Sequence, residues 1–279
     1  MTTLNEQSNP ATSQSDSELM LQQIIDRIDG LQATVESELD AYRNATIQEE
    51  NQVVTTIIIP VYNELPTIAR VIGRVAALPI EKEILIVDDC STDGTVEVLK
   101  KLRDVQGIKL ILKDKNAGKG AALRTGFEHA TGDIVVIQDA DLEYDPQEIP
   151  GLLVPILRKE ADVVYGSRFL GDVQHDKSWI HRTGNAVLTQ LSNFFSGLKL
   201  TDMETCYKAF RRDALNTVEI QQNRFGVEPE ITAKLARKGF HFVEVPISYR
   251  PRGYDEGKKI GIKDLFKALW CIGRYGLDD

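Results

Sequence analysis

From Thr55 onward, short apolar runs alternate with stretches whose apolar residues recur every three or four positions, the rhythm of strands joined by helices. The runs predict strands at Thr55–Ile59, Glu83–Val87, Lys109–Leu112, Ile134–Gln138, Val163–Tyr165 and Phe242–Val245. The segments between them predict helices at Thr67–Ala77, Thr95–Arg103, Gly118–His129, Glu148–Arg158, Arg182–Phe195 and Glu230–Lys238. A last helix, from Gly261 to about Arg274, sets Ile262, Leu265, Phe266, Leu269, Trp270 and Ile272 against the basic Lys263, Lys267 and Arg274. Strands alternating with helices imply an α/β fold, with a mostly parallel central sheet covered by helices. No internal repeat is visible.

Before Thr55 the pattern is different. Residues 1–15 are rich in Ser, Thr, Asn and Gln and nearly lack apolar side chains, the composition of a flexible tail. From Asp16 to about Tyr42, Leu21, Ile24, Ile28, Leu31, Val35 and Tyr42 follow a heptad-like spacing that predicts an added N-terminal helix with one apolar stripe. That stripe suits packing on the body or pairing with a second copy in a homo-oligomer. The expected organisation is a tail plus helix over 1–50, the α/β domain over 51–250, and a basic loop with an amphipathic helix over 251–279.

Composition narrows the function classes. The 279 residues are 42% hydrophobic, ordinary for a globular core. Taken whole, the net charge of −9 disfavours anionic partners, yet the ten acids and two arginines of residues 1–50 account for −8 of it. The rest is near neutral and has room for local basic patches. Cys90, Cys206 and Cys271 are widely separated and odd in number, which indicates neither a disulfide framework nor a zinc site. No run approaches the ~20 apolar residues of a membrane span, and the N-terminus is polar, so the expected location is cytoplasmic.

Candidate chemistry collects where strands end. Ile134–Gln138 runs into Asp139-Ala140-Asp141-Leu142-Glu143, and clustered acidic oxygens suit a hard divalent cation; taken alone, the run also reads as a solvated turn. The first strand leads into Pro60-Val61-Tyr62-Asn63-Glu64, and the second into Asp88-Asp89-Cys90-Ser91-Thr92-Asp93-Gly94-Thr95. Such ends form a crevice suited to a nucleotide, where a tyrosine stacks on a base and an acid accepts from a base N–H or a ribose hydroxyl. Simple helix capping would also account for the second run. Lys115-Asn116-Ala117-Gly118-Lys119-Gly120-Ala121-Ala122 is a glycine loop entering a helix, with Lys119 available to a phosphate; it lacks the P-loop spacing. Further on, Gly166-Ser167-Arg168 follows a strand, and Lys177-Ser178-Trp179-Ile180-His181-Arg182 sets cations beside a tryptophan, which fits a phosphate head group on an apolar tail; the run also reads as a solvated basic loop on a polar surface.

The ordered set P-V-Y-N-E, V-D-D-C-S-T-D-G-T, N-A-G-K-G-A-A, D-A-D-L-E and G-S-R resembles the family 2 glycosyltransferases, which have the GT-A nucleotide-sugar-binding fold. Over residues 54–260 the chain is most similar to dolichol-phosphate mannose synthases and bacterial polyprenyl-phosphate sugar transferases. The resemblance implies a metal-dependent, inverting transfer of a hexose from a nucleotide diphosphate sugar, of the GDP-mannose or UDP-glucose type, to a polyprenyl phosphate. It implies that Pro60, Tyr62, Glu64, Asp88 and Asp89 line the nucleoside site with Lys119 nearby, and that Asp139 and Asp141 bind Mg²⁺ or Mn²⁺ beside Ala140. Glu143 stands where the synthases usually carry Gln, as a third metal ligand.

By the same resemblance Arg168 and Lys177 grip the lipid phosphate, with His181 where Ser is usual and Arg182 beside it. Asp202, in Thr201–Phe210, lies near the reaction centre, a general base if the acceptor is a hydroxyl. Arg252, Tyr254, Glu256 and Lys258 match the R-x-Y-x-E-x-K pattern of a C-terminal loop, a lid closing over the diphosphate with Arg252 and Lys258 as its cations. Between Arg250 and Arg274, seven bases face three acids, which suits either contact with the inner face of an anionic membrane or an amphipathic helix packed on the core. Three rivals remain: the same fold acting on a saccharide or small-molecule hydroxyl in cell-envelope glycan synthesis, a non-catalytic sugar-nucleotide sensor, and a nucleotidyltransferase that releases pyrophosphate.

Overall fold

The computed structural model describes residues 53–103, 105–170, 179–251 and 262–277, with the backbone alone for 179–182 and 262–265. The chain divides after Asn51. The expected tail and heptad-spaced helix lie outside the described residues.

Strands β1 (Thr55–Val61), β2 (Lys82–Asp88), β3 (Ile108–Leu112), β4 (Ile134–Ile137), β5 (Val163–Ser167), β6 (Lys208–Arg211) and β7 (Phe242–Pro246) form one sheet in the order β3-β2-β1-β4-β6-β5-β7. All pairings are parallel except those of β6, which runs against both β4 and β5. The helices are α1 (Ile68–Ala76), α2 (Thr95–Lys100), α3 (Lys119–His129), α4 (Ile149–Leu157), α5 (Trp179–Ser196), α6 (Arg212–Leu215), α7 (Val227–Arg237) and α8 (Ile262–Leu277). They cover both faces. On one, Ile57 and Ile59 of β1 meet Ile68, Val71 and Val75 of α1 and Leu152, Leu153 and Ile156 of α4. On the other, Ile58 shares a cluster with Leu123 of α3, Val227, Ile231 and Leu235 of α7, and Ala268 and Ile272 of α8. A strand buried on both faces reads as an unbroken apolar run, which is why β1, β2 and β4 stand out in the sequence.

All six expected strands form. β6 was not anticipated, because its four residues open with a lysine. Lys208 is nevertheless buried: its ammonium donates to the carbonyls of Met203 and Thr205 and lies 4.3 Å from the Tyr165 ring centroid. Those local acceptors satisfy a charge that would otherwise exclude the residue from a sheet. Helix α7 begins three residues before the expected Glu230, taking in Glu228 and Pro229. Proline is tolerated in a first turn because the N–H it lacks has no partner within the helix. Helix α8 packs on α5 and α7. No described helix is long and apolar enough to cross a membrane.

Candidate active site

The carboxyl ends of β1, β2, β4 and β5 lie along one edge of the sheet, the edge at which open α/β sheets bind ligands. Just past β1, β2 and β4, Asn63, Cys90 and Leu142 have φ of 55°, 67° and 61°. Left-handed backbone at a residue as bulky as leucine is held by its surroundings and gathers at functional sites.

The first two loops are tied together. Asn63 Oδ1 accepts from the Thr92 amide, the Asn63 amide donates to Ser91 Oγ, and the Glu64 amide donates to Thr95 Oγ1. Pro60 lies half-buried near the end of β1, Tyr62 just past the strand is 38% exposed, and Glu64 accepts from the Thr67 hydroxyl. Asp88 and Asp89, expected at the nucleoside site, are both held by the loops around them. Asp88 is buried and accepts from the amide and hydroxyl of Ser91. Asp89 is buried as well; it accepts from the amides of Ala117 and Gly118 and pairs with Lys113 at 2.5 Å. Both acids brace loops, because the strand ends put backbone N–H groups within reach of a desolvated carboxylate that needs them.

The glycine loop is braced from the other side too. A Cβ on Gly118 would lie 2.5 Å from the Asn223 carbonyl oxygen, and one on Gly120 only 2.4 Å from that of Gln222. These glycines therefore serve a close backbone approach within the protein. Between them, Lys119 sends its ammonium to Asp139, 2.7 Å from Oδ1, with Glu228 Oε1 at 3.8 Å. Burial lowers the Lys119 pKa, but Asp139, Cys206 and Glu228 outweigh it and hold the group well above its ordinary value.

Asp139 and Asp141 flank the buried Ala140, and Asp141 Oδ1 accepts from the Glu143 amide. Glu143, the expected third metal ligand, has its Oε2 accepting from the Tyr249 hydroxyl at 2.8 Å and its carbonyl accepting from the Arg250 amide. It fastens the segment after β7. Among the described residues, no three His, Cys, Asp or Glu side chains converge on a metal site. Two hard carboxylates still fit Mg²⁺ or Mn²⁺, since Mg²⁺ is commonly held by one or two carboxylates together with substrate phosphates.

At the end of β5, Arg168 grips Asp202 with Nε to Oδ2 at 2.6 Å, Nη2 to Oδ1 at 2.8 Å and its own amide to Oδ2 at 3.1 Å. Asn185 of α5 donates to the same Oδ1, and Tyr249 covers the guanidinium at 5.1 Å. Burial pushes the fully enclosed Asp202 up, but the Arg168 guanidinium outweighs it and leaves the carboxyl below its ordinary range. An acid held ionised, with both oxygens engaged, is a poor general base. His181 and Arg182 lie in the first turn of α5, but their side chains, like Lys177, Arg252 and Lys258, lie outside the described residues.

Several residues here escaped the sequence reading. Glu204 and Glu228 each keep a buried carboxylate oxygen with no hydrogen-bond partner, and Lys208 lies near both. The available signal was the E-P-E run of α7, where Glu228 and Glu230 are both buried. Burial, with repulsion from Glu228, pushes the Glu204 carboxyl up to about 8. The unfolded chain ionises this group near 4.5, so between those values the folded state holds a proton that the unfolded state has lost, and stability falls as pH rises. Glu204→Gln is therefore expected to raise the thermal midpoint at about pH 8 and to leave it unchanged near pH 4.

A model of Glycosyl transferase family 2 matches residues 56–218, more than half of the chain. The chain belongs to glycosyl transferase family 2. It is 29% identical over 225 residues to an undecaprenyl-phosphate 4-deoxy-4-formamido-L-arabinose transferase of Aeromonas hydrophila, covering 78% of this chain and 66% of that protein. It is 31% identical over 211 residues to the transferase of that name from Sodalis glossinidius, covering 73% and 62%. The family 2 chain thus spans somewhat less than two thirds of these relatives' length. Among solved structures, it is similar to glucosyl-3-phosphoglycerate synthase of Mycobacterium tuberculosis in complex with Mn²⁺, UDP and phosphoglyceric acid. There the TM-score is 0.63 at 20% identity, over 84% of this chain and 82% of that one. The complex of that synthase with Mg²⁺ and UDP gives 0.62 at 20%, over 85% and 84%. At that identity the likeness shows the GT-A fold alone.

Proposed function

We propose that this family 2 chain transfers a hexose from a nucleotide diphosphate sugar to a polyprenyl phosphate, with inversion at the sugar carbon. The observation that carries the reading is the Arg168–Asp202 pair at the carboxyl end of β5. It offers a guanidinium to an acceptor phosphate and takes away the base that a hydroxyl acceptor would require. The relatives named for undecaprenyl phosphate support the same acceptor class.

A phosphate needs little activation, because its second pKa is near ~6 and it arrives largely ionised. The chain's task is then alignment, charge neutralisation and exclusion of water. In this reading Tyr62 and Glu64 receive the nucleoside, Lys119 lies by the diphosphate, and Arg168 with Lys177, His181 and Arg182 orients the acceptor. Tyr249, over the Arg168 guanidinium, keeps that cation from solvent, and Arg252 and Lys258 supply a lid's charges. Asp139 and Asp141 would hold Mg²⁺ or Mn²⁺, which when bound offsets the charge of the departing diphosphate. The metal complexes of the Mycobacterium tuberculosis synthase support such a site within the fold.

Donor binding is tested by thermal denaturation with GDP-, UDP- and dTDP-sugars, each with and without Mn²⁺, since a ligand that binds only the native state raises its midpoint. One sugar nucleotide is expected to stand out, with a larger shift when Mn²⁺ is present. Equal, negligible shifts for all would contradict the reading.

Peripheral contact with an anionic membrane belongs to the same proposal. Phe194 of α5 and Phe266, Trp270 and Leu277 of α8 are exposed, and the Arg274 guanidinium lies 5.1 Å from the Trp270 ring. Aromatic and basic side chains on one helix suit a headgroup layer. Co-sedimentation with vesicles containing phosphatidylglycerol is expected to fall severalfold in Phe266→Ser/Trp270→Ser and in high salt; unchanged binding would reject the contact.

A further inference from the structure

We infer that Glu228 is a positioning residue that receives the Lys119 ammonium when a divalent cation takes Asp139, so that one lysine neutralises the acid site first and then stands beside the diphosphate. This rests on the metal-dependent reading of Asp139 and Asp141 given above.

Lys119 faces two carboxylates at unequal distance. Asp139 Oδ1 is 2.7 Å from its Nζ, and Glu228 Oε1 is 3.8 Å away. The nearer acid is the proposed metal ligand, so cation and ammonium compete for the same oxygens and repel one another in a poorly screened site. A bound metal requires the ammonium to have somewhere else to go.

The backbone cannot carry it there. Gly118 and Gly120, on either side of Lys119, press against the carbonyls of Asn223 and Gln222 so closely that neither has room for a Cβ. The Ala121 amide also donates to Asn223 O. That facing loop is itself fixed, because the Glu230 carboxylate accepts from the amides of Gln221 and Gln222. The movement left to Lys119 is rotation of its four-carbon side chain.

Glu228 is suited to receive it. The residue is 6% exposed, in the first turn of α7, and its Oε2 is buried with no hydrogen-bond partner. A buried acceptor left without a donor is costly, and such groups in native proteins call for an explanation. An ammonium swinging from Asp139 would satisfy it. Lys208 and Glu204 also lie near Glu228, and Lys208 is already committed to the Met203 and Thr205 carbonyls. The E-P-E run thus divides its work: Glu230 fixes the loop that holds the lysine backbone, and Glu228 provides the second seat for its side chain.

The test is Mn²⁺ binding to the full chain, followed by electron paramagnetic resonance of the free ion, with and without UDP or GDP. Glu228→Gln is expected to weaken Mn²⁺ binding about tenfold, because the lysine then stays on Asp139. Lys119→Met should tighten it, and Glu228→Gln/Lys119→Met should bind like Lys119→Met alone, since with no ammonium to displace the receiving acid has no effect. Equal Mn²⁺ affinity in Glu228→Gln and wild type would overturn the inference, as would a tenfold loss that persists in the double variant. Should Glu228→Gln not fold, Lys119→Met decides alone: affinity no tighter than wild type refutes the exchange. A wild-type chain that binds no Mn²⁺ under either condition would overturn the metal-dependent reading itself, and the inference with it.

Discussion

Arg168→Met is expected to cost about 3–5 kcal/mol of folding stability and to abolish transfer, because it strands a fully buried carboxylate. Asp202 accepts three bonds from Arg168, and among the described residues Asn185 also donates to its oxygens. Removing the guanidinium leaves an ionised acid that the interior must either neutralise or expose. The pair Arg168→Met/Asp202→Asn separates folding from function. With the stranded charge gone, the double variant should recover most of the stability in a denaturant titration, while transfer to a phosphate acceptor stays lost. Recovery of both would show that Arg168 serves the fold alone. The pH dependence follows the same logic. The Asp202 pKa is lowered in the folded state, so its contribution is present above the ordinary carboxylate range and is lost as pH falls through the folded value.

Asp141→Asn is expected to lower turnover by about 10²–10³-fold with little change in the thermal midpoint. The variant keeps an oxygen to accept from the Glu143 amide, the contact that shapes the turn. It removes the charge that would hold a cation against the diphosphate. Asp139→Asn should lose turnover likewise and also fall in stability, because Lys119 loses its nearer carboxylate and keeps the more distant one of Glu228. A steady-state assay beside a thermal scan reads both quantities. Full activity in Asp141→Asn would remove this acid from the site.

How much of this was legible in the sequence depended on how local the physics was. The strands were legible because burial on both faces leaves an unbroken apolar run, as in Ile57-Ile58-Ile59 and Ile134–Ile137. β6 was not, because Lys208 is made acceptable only by carbonyls that the folded loop brings to it. Among the candidate site residues, the strand-end positions of Tyr62, Asp139 and Asp141, and the place of Lys119 at the start of a helix, followed from the chain rhythm. What each carboxylate touches did not. Asp89 looks like a ligand group in sequence, yet it is engaged by residues 113, 117 and 118 across the loop. Glu143 finds Tyr249 more than a hundred residues away. Glu228 carries no motif signal toward Lys119, because the approach of α7 to the glycine loop is set by the packing of Gln222 and Asn223 on two glycines.

The central claim is that the acceptor is a lipid phosphate, and comparing that phosphate with its alcohol tests it most directly. The purified chain is incubated with Mn²⁺, radiolabelled GDP-, UDP- or dTDP-hexoses, and either undecaprenyl phosphate or undecaprenol, and label extracted into organic solvent is counted. The account predicts label in the lipid phase from one donor, with the phosphate and not with the alcohol. Label passing to undecaprenol, or to an added saccharide while undecaprenyl phosphate stays unlabelled, would contradict it.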